Sequence, residues 1–105
     1  MQRRNTILKL IREAIYNTAP QSEILLYGSR ARGNARKQSD WDILILLNSP
    51  DVNFELEKNF IDALYEVEIE TGESISPLIY SKKDWDTKHY FTPLYENIKR
   101  EGIRL

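Results

Sequence analysis

The sequence predicts an α/β (α+β) fold in which a small mixed β-sheet packs against helices. Three observations carry that expectation. Residues 23–27 and 40–47 are apolar runs too short for core helices and suited to buried strands. Residues 6–16 and 54–70 repeat their apolar side chains at helical spacing. Helical and strand patterns then alternate along the chain, an order that puts helices on a sheet.

The elements follow in sequence. In residues 6–16, Ile7, Leu8, Leu10, Ile11, Ala14 and Ile15 form an apolar stripe, and Arg3, Arg4, Lys9, Arg12 and Glu13 fill the other side. Asn17-Thr18-Ala19-Pro20-Gln21 breaks that helix. Strand 23–27 ends at Gly28-Ser29, and residues 29–36 read as a helical turn plus loop, polar and basic. Strand 40–47 is the most apolar segment, so both of its faces should be covered. Asn48-Ser49-Pro50-Asp51 stops it. In the helix over 54–70 the stripe is Leu56, Phe60, Leu64 and Val67, with Gly72 as C-cap. A third strand covers 74–80, and Pro77, which cannot donate to a ladder, puts it at an edge or a bulge. Residues 81–85 open a turn or short helix. A last helix covers 93–101, capped by Thr92 with Pro93 in its first turn. Gly102 ends it, and Ile103-Arg104-Leu105 reads as a tail.

At 105 residues, one compact domain spanning 1–105 is expected. The absence of cysteine excludes disulfides, thiolate metal sites and a cysteine nucleophile in this chain. Fifteen basic against sixteen acidic side chains argue against a dedicated nucleic-acid binder. No apolar run approaches a membrane span, so a cytoplasmic location is the expectation.

One constellation points to chemistry. Gly28-Ser29-Arg30-Ala31-Arg32-Gly33 follows a buried strand, and Ser39-Asp40-Trp41-Asp42 opens the next. Glycine after a strand permits a sharp turn and close backbone approach to a ligand. A helical turn beginning at Ser29 presents free N–H groups and a hydroxyl to an anion, with Arg30 and Arg32 adding positive charge. Asp40 and Asp42, two apart on a strand, project to one face. Two carboxylates so close favour a cation, and Mg²⁺ is held by carboxylates together with substrate phosphates. The reaction class that suits the pair is nucleotidyl or phosphoryl transfer. By alternation Trp41 packs on the opposite face. His89 reads as a surface histidine, and Trp85, Tyr90, Phe91 and Tyr95 read as an aromatic core cluster.

The two-part motif resembles the signature of the DNA polymerase beta-like nucleotidyltransferases, and the length is similar to that of their minimal members. The resemblance implies a nucleotidyltransferase-like fold and Mg²⁺-dependent transfer of a nucleoside monophosphate from an NTP, ATP in the first instance, to a hydroxyl acceptor. Asp40 and Asp42 would hold two Mg²⁺ ions. Gly28 and Ser29 would bind phosphates, with Arg30, Arg32 and Ser39 beside them. A helical HEPN-type protein would be the partner and acceptor, as in toxin–antitoxin pairs. The oligomeric state stays open, a homo-oligomer included. One departure counts. The family's third carboxylate falls where this chain has Ser76, and Glu70 and Glu73 lie before that strand. The alternative is therefore a binding module of weak or no catalytic activity.

Overall fold

The computed structural model describes residues 3–49 and 52–105, so Met1, Gln2, Pro50 and Asp51 lie outside the described residues. In chain order the elements are α1 (Arg3–Thr18), β1 (Glu23–Tyr27), α2 (Ser29–Arg32), β2 (Trp41–Leu47), α3 (Phe54–Thr71), β3 (Ile75–Ser81), α4 (Lys82–Lys88), α5 (Pro93–Glu101) and β4 (Ile103–Arg104). The sheet order is β3-β2-β1-β4. β1 runs antiparallel to β2 and to β4, and β2 runs parallel to β3. The sheet is thus mixed, as the sequence predicts.

β2 shows why its run is so continuously apolar. Trp41, Ile43, Ile45 and Leu47 point to one face, into a core with Ile7, Ile11 and Ile15 of α1 and Phe60, Leu64 and Val67 of α3. Leu44 and Leu46 point to the other, where Trp85 of α4 and Ile98 of α5 cover them. A strand buried on both sides has no polar alternation to show.

The helix ends follow their caps. The Asn53 side chain accepts from Leu56 N at α3, Ser81 from Asp84 N at α4, and Thr92 from Tyr95 N at α5. Each satisfies a backbone donor that has no partner within the helix. β3 lies at a sheet edge, where the missing N–H of Pro77 costs no ladder bond.

One element departs from expectation. Ile103 and Arg104 form β4 against Leu26 and Leu25 of β1 instead of a tail. Two residues carry too little pattern to announce a strand. Their pairing exists because α5 returns the chain to the free edge of β1, and Leu105 N then donates to Ile24 O at 2.9 Å.

Candidate nucleotide and metal site

The sheet register assembles the site. Antiparallel pairing sets Tyr27, the last residue of β1, opposite Asp42. Parallel pairing sets Ser76 of β3 opposite Asp42 on the other side. These three side chains lie on the α4/α5 face, because their neighbours Trp41 and Ile75 belong to the α1/α3 core. Asp40 stands just before the strand, and the Ser76 hydroxyl donates to its Oδ2 at 3.3 Å. The two aspartates therefore share a face, as period-two spacing requires.

Gly28 makes the closest approach. Its φ of +73° belongs to the left-handed region, and a Cβ there would overlap Asp42 Oδ2. Any other residue would be strained in backbone and would displace the carboxylate. Gly28 O accepts from both Ala31 N and Arg32 N at 3.0 Å, which winds α2 into a single turn beside the acids.

The electrostatics are only partly compensated. Burial, then the neighbouring charge of Asp40, push the Asp42 carboxyl above the ordinary carboxylate range, while Arg32 pulls it back. The Tyr27 phenol is pushed up to about 12, first by burial, then by the charge of Asp42 and by Tyr80. Among the described residues no third carboxylate, histidine or cysteine joins the two acids to make a protein-only metal cage. Two carboxylates and a hydroxyl fit Mg²⁺, which keeps part of its shell for water and phosphate oxygens.

The remaining motif residues divide. Arg32 stays within electrostatic reach of Asp42, with Nη1 3.6 Å from Glu101. Ser29 opens α2, and its carbonyl accepts from Gly33 N at 3.1 Å. Arg30 is directed away from the acids. Its guanidinium lies 4.5 Å over the Trp41 ring and donates to Ser39 O at 2.9 Å and Lys37 O at 3.3 Å. Trp41 is on the opposite sheet face, so Arg30 braces the motif loop. Ser39 braces it too, its hydroxyl accepting from Arg36 N at 2.8 Å. Glu73 pairs with Arg3 at 3.8 Å, away from the aspartates.

The residues that the motif did not reveal are Tyr27 and Tyr80. Strand alternation could place Tyr27 opposite Leu26, but only the β1–β2 register sets it against Asp42. His89 is half-buried instead of solvated, its ring 4.3 Å from that of Tyr80. The aromatic cluster splits: Trp85 is buried against Tyr95, whereas Phe91 is 86% exposed.

With this geometry in view, the comparison that decides the family is a match of the nucleotidyltransferase domain to residues 7–103. The chain belongs to the nucleotidyltransferase domain family. No curated protein matches it. Among solved structures, a candidate minimal nucleotidyltransferase superposes with a TM-score of 0.62 at 22% identity, covering 99% of this chain and 97% of that one. A toxin–antitoxin crystal structure with AMP-PNP gives 0.61 at 19% identity, over 98% and 72% of the two chains. A mutant of the toxin–antitoxin MntA-HpeT, with two Asp-to-Glu exchanges, gives 0.59 at 16% identity, over 98% and 71%. At these identities the likeness is one of fold, and the fold is the minimal nucleotidyltransferase one.

Proposed function

We propose that this chain transfers a nucleoside monophosphate from an NTP, with ATP the first candidate, to a hydroxyl on a helical protein partner. The observation that carries the reading is the convergence of Gly28, Asp40 and Asp42 at one end of the central strands. The membership of the family supports the reaction class. The toxin–antitoxin neighbours, one with AMP-PNP, support a nucleotide substrate and a protein partner.

In this reading Asp40 and Asp42 hold Mg²⁺, which neutralises phosphate charge and sharpens the electrophile when bound. Gly28 lets phosphate oxygens approach the backbone, and Ser29 offers them its hydroxyl. Arg32 offsets negative charge beside them. The Ser76 hydroxyl orients Asp40 by donating to it and has no capacity to take a proton at neutral pH. Proton removal from the acceptor then falls to solvent or to a partner side chain.

The absence of a third acid among the described residues favours one second reading, a module that binds nucleotide and partner without transfer. Incubation with Mg²⁺ and α-labelled NTPs, with and without the product of the adjacent gene, separates the two. Label on the partner, lost in Asp40→Asn, supports transfer. Tight Mg²⁺–ATP binding with no pyrophosphate release supports the binding module. No nucleotide binding at all defeats both.

A further inference from the structure

α3 is apolar on two sides. One side is the core stripe of Phe60, Leu64 and Val67. The other is exposed: Phe54 is 80% accessible, Ile61 50%, Tyr65 58% and Ile69 62%. At 3.6 residues per turn Ile61, Tyr65 and Ile69 are i, i+4 neighbours running about 12 Å along the helix, and Phe54 lies in the same arc about 10 Å further back, beyond Lys58. Scattered exposed apolar residues are ordinary, but three exposed apolar side chains on successive turns of one helix form a patch of the kind that contacts use.

Its position and charge are specific. Glu68 adjoins the stripe on the helical wheel, and its carboxylate accepts from Ile75 N at 2.8 Å. The stripe therefore faces away from the core, with its Glu68 flank turned toward the start of β3. Asp62, Glu55 and Glu66 follow on its far flank by helical spacing. The helix carries six carboxylates against the single Lys58, which is already paired with Asp62 at 2.8 Å.

We infer that this face of α3 docks a helix of another protein, one with an apolar stripe flanked by lysine and arginine. The inference deepens the partner half of the function proposed above, and it rests on that reading only for the partner being a protein. Charge selects this occupant over a second copy. Pairing α3 with α3 would set Glu55, Asp62 and Glu66 against their own equivalents. The basic helix of this chain, α1, turns Ile7, Ile11 and Ile15 inward, so its outer face has the charge without the stripe.

Two synthetic helical peptides test the inference against the full chain. Both carry leucines at heptad spacing; one is flanked by lysine and arginine, the other by glutamate. Calorimetric titration should show the basic peptide binding at least tenfold tighter, with affinity falling as salt rises. Ile61→Ser with Ile69→Ser should weaken it tenfold or more while circular dichroism stays unchanged, since both positions are exposed. Equal binding of the two peptides, binding of neither, or binding indifferent to the serine pair overturns the inference. A concentration-dependent dimer in light scattering that the serine pair dissolves also overturns it, in favour of a second copy. Mg²⁺–ATP binding measured on the same variants keeps the two proposals apart. Its absence beside intact peptide binding counts against the nucleotide reading alone.

Discussion

The two ends of the β1–β2 pair treat carboxylates in opposite ways. At one end Glu23 meets Lys82 at 2.8 Å and Arg104 at 3.0 Å, which ties β1 to the start of α4 and to β4. The Lys82 hydrogen bond, over a smaller burial penalty, holds the Glu23 carboxyl below its ordinary range. At the other end Asp42 is held above it by burial and by Asp40. One acid is placed to stabilise the fold. The other pair is placed at a cost that a bound cation would offset, which is what the proposed metal site requires.

Substitutions can break that contrast, and the largest effect belongs to the core both ends share. Phe60 is fully buried under the sheet, so Phe60→Ala should cost about 3–5 kcal/mol. Chemical denaturation should show a single transition moved far to lower denaturant; two separate transitions would mean that the ends are supported independently. At the acidic end, Asp40→Asn or Asp42→Asn should weaken Mg²⁺–ATP binding by more than about 100-fold, beyond what loss of a ligand's supporting partner does. Binding unchanged in both variants would remove the metal role from the pair. Gly28→Ala should cost about 1–3 kcal/mol from its positive φ alone, and should displace Asp42 as well. A thermal scan in parallel with a binding assay reads both losses.

The smallest effects are in pH. The folded chain holds the Asp42 proton more tightly than the unfolded chain, so that contribution to stability is full below the unfolded pKa. It is lost as pH rises through the raised folded value. Asp42→Asn should therefore make the metal-free protein more thermostable at pH 7 while disabling it. Glu23 runs the other way: its contribution is present above the unfolded pKa and is lost as pH falls through the lowered folded value. Glu23→Gln should remove that acid limb of the stability curve, at under about 1 kcal/mol per partly exposed pair. A drop in melting temperature for Asp42→Asn at pH 7 would contradict the assignment of cost and benefit between the two ends.

How much could be read from the chain alone differs residue by residue. The i, i+2 spacing of Asp40 and Asp42 sets their common face, because side-chain alternation is a property of any strand. Trp41 opposite them follows from the same rule, and the caps at Asn53 and Thr92 are local hydrogen bonds that nearby residues specify. Arg30 shows the limit. In sequence it stands among phosphate-binding candidates, yet it lies over Trp41, since which way a long side chain turns depends on what packs beside it. His89 packs against Tyr80 because α4, which follows β3 directly, folds back on it, and no local period announces that contact.

The sequence by itself determined the three longer helices, the three longer strands and the pair of acids, all of which rest on periodicity, capping and spacing within a few residues. Tertiary structure alone decided that β4 closes on β1, that Tyr27 and Ser76 flank Asp42, and that Arg30 leaves the site for the loop. Those outcomes depend on strand register and on contacts between residues far apart in the chain, where no local period carries the information.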